Sequence, residues 1–159
     1  MSGDDRNRLI DVTLDEGSVA PASPNIEQER RIALFDLKEA NSFTIVGQDR
    51  GPYLLTLSVA DGRLIFDLAT EANEAVCRHP MSISGIRKLV KDYALICESY
   101  FEAIRNAPPS RIEAIDMGRR GLHNEAAEVL MSELKDAFTV DLDTARRLFT
   151  LVCALHVRG

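Results

Sequence analysis

The segment that most constrains the fold is a pair of alternating apolar runs joined by Asp61-Gly62. Residues 53–59 and residues 63–68 each alternate between apolar and other side chains, which is typical of strands with one buried face. The predicted face carries Tyr53, Leu55, Leu57 and Val59 on the first run and Leu64, Phe66 and Leu68 on the second. Asp-Gly favours a tight turn, because both central residues of that turn need positive φ. The sequence therefore predicts an antiparallel β-hairpin.

Further strands are expected on both sides of this hairpin. Residues 8–14, RLIDVTL, alternate like a strand and precede a loop over residues 15–24. The hairpin belongs to a predicted β-meander over residues 41–83. Its third strand would place on one face Cys77, His79, Met81 and Ile83. Pro80 indicates that part of that strand lies at the edge of the sheet or bends, because proline cannot donate a hydrogen bond to a neighbouring strand. A last short strand is expected at Phe138, Val140 and Leu142.

Apolar residues at helical spacing indicate four helical segments. The predicted ranges are 26–40, 84–106, 110–117 resuming over 122–134, and 145–156. The predicted caps are Asn25 with Gln28, Ser84, Ser110 with Glu113, and Asp143. Gly118 and Gly121 predict a weakened helix between residues 117 and 122. The last helix is apolar nearly all round, which places it at the centre of the core.

These elements predict an α+β fold: a small, mainly antiparallel sheet packed on one face against four to five helices. A chain of 159 residues supports one core, and splitting it would leave two marginal halves, so we expect a single domain over residues 8–159. Residues 1–7 are polar and are expected to be disordered. A sheet with one exposed face leaves room for a homo-oligomer.

Charge and composition exclude several classes of function. The formal net charge of −6 argues against nucleic-acid binding, which needs a basic surface. The longest apolar run, residues 148–157, is too short to span a bilayer, and MSGDDRNRL lacks the apolar segment of a secretory signal, so we expect a cytoplasmic protein. Cys77, Cys97 and Cys153 have no C-x-x-C spacing and are interpreted as buried thiols.

Residues 112–125, IEAIDMGRRGLHNE, concentrate more polar chemistry than any other stretch. At helical spacing one stripe carries Glu113, Asp116, Arg120 and Asn124. One interpretation is an anion or phosphate site in which Arg119, Arg120 and His123 donate hydrogen bonds. The other, which we prefer, is a helix break with Asp116 and Arg120 locked in a structural ion-pair network.

Two glycines within this run require a physical reason, since each costs roughly 1 kcal/mol relative to alanine in a helix. We expect Gly118 or Gly121 to lie where a Cβ would clash with a neighbouring helix or force an unfavourable φ.

Arg146 and Arg147 open the last predicted helix, where their charges oppose the helix dipole. Asp141 and Asp143 nearby would compensate them. Alternatively, the two arginines join Arg119 and Arg120 in one basic pocket.

No metal or cofactor is expected. His79, His123, His156 and Cys77 show none of the spacings that set metal-ligand geometry. No nucleophile elbow, P-loop or dinucleotide fingerprint is present in the sequence, so no catalytic residue is assigned.

Four strings resemble one known family. GPYLLTLSVADGRLIFD, KDYALICESYFEAI, IEAIDMGRRGLHNE and DTARRLFTLVCALHVRG are together similar to uncharacterised protein family 0262. The resemblance covers most of the chain from Arg8 to Gly159. It implies a bacterial cytosolic protein, and it brings no activity, cofactor or catalytic residue.

The function expected from the sequence is a non-catalytic binding or regulatory module for a protein or a small anionic ligand. The alternative is an enzyme acting on a small phosphorylated or carboxylated metabolite through Arg119, Arg120, His123 and Asn124. In that alternative His123 would be the acid/base and the arginines would hold the substrate's charge.

Overall fold

The computed structural model describes residues 6–19 and 23–156, apart from the side chains of Ile26 and His156. The strands are β1 (Leu9–Leu14), β2 (Phe43–Ile45), β3 (Tyr53–Ala60), β4 (Arg63–Thr70), β5 (Ala75–Ser82) and β6 (Phe138–Val140). The helices are α1 (Pro24–Glu39), α2 (Arg87–Asn106), α3 (Pro109–Leu134) and α4 (Leu142–His156). The disorder expected for residues 1–7 falls mostly on residues outside the described ranges, but Arg6 is described and donates to the backbone oxygen of Asp49.

The main sheet has the strand order β1-β3-β4-β5. β1 runs parallel to β3, and the other two pairs are antiparallel, so the predicted α+β fold with a mainly antiparallel sheet is confirmed. The expected meander over residues 41–83 is wrong at its start. Residues 43–45 form β2, which pairs with β6 in a separate two-stranded sheet. That pairing joins segments almost a hundred residues apart, and no local pattern could indicate it.

The β3–β4 hairpin forms where the sequence predicts it. Asp61 and Gly62 have φ of 52° and 73°, and the strands pair from Ala60 with Arg63 outward. β5 is the edge strand, which is where proline at position 80 is tolerated. The outer face of the sheet is polar in part, since the hydroxyls of Thr13 and Thr56 lie 3.2 Å apart there.

Helix α4 occupies the centre of the core, as its composition predicts. Its fully or almost fully buried residues include Ala145, Leu148, Phe149, Leu151 and Val152, each at most 1% exposed. They share the core with the inner face of the sheet. The cap was assigned to the wrong residue: Asp141, not Asp143, accepts the backbone N–H of Thr144 at 2.9 Å. Leu142 therefore begins the helix and does not extend β6.

The other predicted caps are also wrong, because the helices start at different residues. α1 begins at Pro24, ahead of Asn25. α3 begins at Pro109, since proline suits the first helical turn, where an N–H has no partner. Ser84 lies outside α2, and its hydroxyl is 2.8 Å from that of Ser82.

Helix α3 continues without a break through both of its inner glycines, so the predicted helix break is wrong. A Cβ on Gly118 would lie 3.2 Å from Cδ1 of Ile96 on α2, which confirms close helix packing at that position. A Cβ on Gly121 would meet nothing within 4 Å, and its φ is not positive, so neither expected reason applies there.

The three cysteines are partly exposed, which corrects the prediction that all are buried. Cys77 on β5 and Cys153 on α4 pack against the core from outside it, and Cys97 on α2 is also partly exposed. Burial still raises the pKa of all three thiols, so the thiolate is disfavoured. Within the described residues, no helix combines the length and apolar character needed to cross a membrane.

Candidate anion-binding site

The site lies on a helical hairpin made of α2 and α3, which Pro108 joins. We call residues 87–97 and 119–134 the base of this hairpin and residues 98–118 its tip. At the base, α3 turns a buried face toward α4, comprising His123, Ala126, Ala127, Leu130 and Leu134. At the tip, Phe101, Ile104 and Met117 are 59%, 51% and 66% exposed. The two helices therefore extend beyond the core that holds their base.

His123 is the buried polar residue at the point where base meets tip. Its Nε2 lies 2.9 Å from Oγ1 of Thr150, and its Nδ1 lies 3.5 Å from Nε of Arg146. Thr150 donates its own hydrogen to the backbone oxygen of Arg146 at 3.1 Å. Since that hydrogen is committed, His123 donates from Nε2 to Thr150. Its Nδ1 then accepts from Arg146, in a hydrogen bond at the long end of the range.

The electrostatics agree with a neutral ring. Burial, followed by the charges of Arg146 and Arg119, lowers the pKa of His123 from 6.5 to about 4. The ring is therefore neutral near pH 7, and both of its nitrogens are engaged. Tyr93 and Phe149 contact the ring, with centroids 5.2 Å and 5.6 Å from it. The ring therefore contacts Thr150, Arg146 and two aromatic rings at once.

Asp116 holds two arginines at once. Its Oδ1 accepts from Nη2 of Arg119, and its Oδ2 lies 2.8 Å from Nη2 of Arg120. The hydrogen bond from Arg119 lowers the pKa of Asp116, and the same bond raises the pKa of Arg119. The guanidinium of Arg119 also lies over the ring of Tyr100, 4.2 Å from its centroid. The predicted Asp116–Arg120 ion pair is thus confirmed, with Arg119 as an additional partner.

Two solvent-open cavities meet at His123 and Arg146. The larger, about 360 Å³, is lined by Tyr93, Arg119, Arg120, His123 and Arg146. The smaller, about 210 Å³, is lined by His123, Asp143, Arg146, Arg147 and Thr150. Together we call them the arginine pocket.

The arginine pocket carries positive charge in an acidic protein. Four arginines face two carboxylates, and His123 is neutral, so two positive charges are in excess. Asp143 compensates Arg146 only weakly, at 3.7 Å. Arg147 donates to the backbone oxygen of Ala40, and no carboxylate among the described residues forms an ion pair with it. In a chain of net charge −6, this concentration favours an anion.

The structure brings together four of the six residues proposed from the sequence, Asp116, Arg119, Arg120 and His123. Glu113 and Asn124 are exposed and are not among the residues that line the arginine pocket. Arg146 and Arg147 join the pocket, as one of the two interpretations of that pair proposed. Sequence reasoning missed Tyr93 and Thr150. Both lie on other helices, and only Tyr93 carried a signal, as an aromatic residue on the apolar stripe of α2.

Within the part of the chain that the structure describes, no three His, Cys, Asp or Glu side chains come together in a way that could hold a metal ion. His79, one of the residues considered as a ligand, packs edge-on against the ring of Phe138.

Comparison with known proteins identifies the family. The family described as "Uncharacterised protein family (UPF0262)" matches residues 6–158. A UPF0262 protein of Brucella canis is 56% identical over 153 residues, which cover 96% of this chain and 95% of that protein. One from Allorhizobium ampelinum is 53% identical over 152 residues, covering 96% of both chains. No solved structure matches. The chain therefore belongs to this family, in agreement with the resemblance found in the sequence.

Proposed function

We propose that this member of the family is a non-catalytic binding module for a small anion, held in the arginine pocket through a phosphate or carboxylate group. The observation that carries the proposal is the arrangement of Arg146. A buried, neutral His123 holds its guanidinium beside a cavity that two further arginines also line.

The pocket offers donors without supplying enough acceptors. Asp116 is shared by Arg119 and Arg120, so one carboxylate serves two guanidinium groups. Guanidinium groups present planar pairs of N–H donors that match the oxygens of phosphates and carboxylates. A bound anion would accept hydrogen bonds from the N–H groups that Asp116 leaves without an acceptor. The loss of side-chain entropy on binding would be small, because the arginines are already in contact with Asp116, Tyr100 and His123.

Catalysis by His123 is the less favoured alternative. A general acid or base needs a nitrogen within reach of the reacting proton and a pKa near the working pH. His123 uses one nitrogen for Thr150 and the other for Arg146, and its pKa of about 4 keeps it from carrying a proton near pH 7. Its geometry supports a role in orienting Arg146.

Thermal unfolding with and without inorganic phosphate tests the proposal, with ionic strength held constant by chloride. A ligand that binds only the folded state at 100 times its Kd stabilises that state by about 2.7 kcal/mol. We expect phosphate to raise the melting temperature of the wild type. Arg146→Gln should lose most of that rise, whereas Arg63→Gln, a control on the β3–β4 hairpin, should keep it.

If phosphate, succinate and a wider library of anionic metabolites all leave the wild-type melting temperature unchanged, the proposal is wrong. An equal response from Arg146→Gln and the wild type would place the binding site elsewhere. Turnover of a bound metabolite that is lost in His123→Gln would favour the enzyme alternative.

A further inference from the structure

We propose that the ligand of the arginine pocket is an amphipathic anion, whose charged group binds the arginines while its apolar chain lies along the tip of the α2–α3 hairpin. This inference rests on the proposed function and adds the class of ligand. It is carried by an apolar stripe of α2 that begins in the pocket and continues past the core.

The stripe follows from the spacing of apolar residues on α2. Tyr93, Cys97, Tyr100 and Ile104 recur at intervals of four, three and four residues, so they share one helix face. Phe101 lies directly beside this stripe. Its earlier part is covered: Val90, one turn before Tyr93, is only 9% exposed. Its later part is not covered, since Phe101 and Ile104 are 59% and 51% exposed.

The stripe and the arginine pocket are continuous. Tyr93 lines the larger cavity of the pocket, and Tyr100, two turns further along α2, stacks under Arg119. From Tyr93 to Ile104 the helix rises by about 16 Å. A ligand anchored by its anionic group between Arg119, Arg120 and Arg146 would therefore reach an apolar surface about as long as an extended medium-length alkyl chain.

Charge complementarity favours this ligand over a protein partner on the stripe. The arginine pocket has two positive charges in excess at the one end where the stripe meets the core. A stable dimer usually buries about 800 Å² per partner. The described tip exposes three large apolar side chains, Phe101, Ile104 and Met117. At roughly 150–250 Å² each, they supply less area than that even when fully exposed. The stripe is thus of a size for a small molecule, and the adjoining charge specifies an anion.

Isothermal titration of the full chain with three probes tests the inference: decanoate, acetate and decyltrimethylammonium. We expect decanoate to bind at least about tenfold more tightly than acetate, because its chain buries apolar surface that acetate lacks. The cationic probe should not bind. The double variant Phe101→Ser/Ile104→Ser should bind decanoate no more tightly than acetate. The double variant Phe35→Ser/Ile32→Ser, whose α1 residues are 61% and 51% exposed, should behave like the wild type.

The outcomes separate the inference from the proposed function. If acetate or phosphate binds and decanoate gains nothing, the inference is wrong and the proposed function stands. If none of these anions binds, both are wrong. Equal binding of the cationic probe would mean that the stripe takes up apolar chains without regard to charge, which also overturns the inference. Sedimentation of the wild type and of Phe101→Ser/Ile104→Ser, run in parallel, tests for a dimer. If the wild type is a dimer, the variant is a monomer and both bind decanoate equally, then the stripe is a contact between two copies and the inference is wrong.

Discussion

At the base of the α2–α3 hairpin, Leu130 and Leu134 are fully buried, whereas at its tip Phe101 and Ile104 are more than half exposed. Both regions belong to the same two helices, and both carry apolar residues at helical spacing. The difference is that the base of α3 packs against α4, while the described residues leave three large apolar side chains of the tip more than half exposed. Residues that a fold buries are constrained by packing. Residues that it leaves uncovered, next to a charged pocket, are available to a ligand.

Substitution of one apolar residue in each region should give the largest difference in the free energy of unfolding. Leu130→Ala removes a buried side chain and leaves a cavity, so we expect it to lower the free energy of unfolding by about 2–5 kcal/mol. Ile104→Ala, at the tip, should change it by less than about 0.5 kcal/mol. Urea unfolding measures both. A large loss from Ile104→Ala would show that the tip is packed against something.

The pH dependence of stability should report the burial of His123 in the base. Its pKa is about 4 in the folded protein and ordinarily 6.5, so between these values the unfolded state binds more protons. The stability that the neutral ring contributes is therefore present above pH 6.5 and is lost as the pH falls to 4. A shift of this size corresponds to roughly 3 kcal/mol.

Urea unfolding of the wild type and His123→Gln at several pH values isolates this contribution, because carboxylates also titrate at the acid end. The variant should lose less stability than the wild type between pH 6.5 and pH 4. Parallel curves for the two proteins would mean that His123 takes up a proton freely in the folded state, and that it does not orient Arg146 as a neutral ring.

The two glycines of α3 lie on either side of the boundary between the regions, Gly118 in the tip and Gly121 in the base. Gly121 has open space around it, so Gly121→Ala should gain helix propensity and stabilise the protein by up to about 1 kcal/mol. The clash or unfavourable φ that the sequence analysis considered for this position would have destabilised the variant instead. Gly118→Ala should gain less or lose, because the new Cβ would lie 3.2 Å from Ile96. Equal gains at both positions would indicate that α2 and α3 are loosely packed there.

Sequence reasoning succeeded where the determining interactions are local. The β3–β4 hairpin depends on alternation and on Asp61-Gly62, all within eighteen residues. The Asp116–Arg120 pair depends on a spacing of four residues along one helix. The predicted helix starts were wrong because α1 and α3 begin at prolines, and because α2 and α3 have no side-chain hydrogen bond at their N-caps.

Most of the site could not be read from the sequence, because its geometry joins three helices. The partners of His123 are Thr150 and Arg146 on α4, and the rings beside it include Tyr93 on α2. No spacing along the chain connects these residues. Arg146 and Arg147 could only be proposed as members of one pocket or as charges compensated by nearby aspartates. The fold places both arginines at the pocket while Asp143 remains 3.7 Å from Arg146.

We propose that the arginines of the arginine pocket serve a ligand and not the fold, and Arg120→Ala is the variant that best separates these two roles. Arg120 is 72% exposed, and Asp116 keeps its contact with Arg119 without it. The measurement is the melting temperature of wild type and Arg120→Ala, each with and without phosphate. We predict that the variant without phosphate melts within about 1 °C of the wild type, and that phosphate raises its melting temperature less. A variant that melts several degrees lower, yet responds fully to phosphate, would show that these charges are a structural network and that Arg120 does not bind the anion.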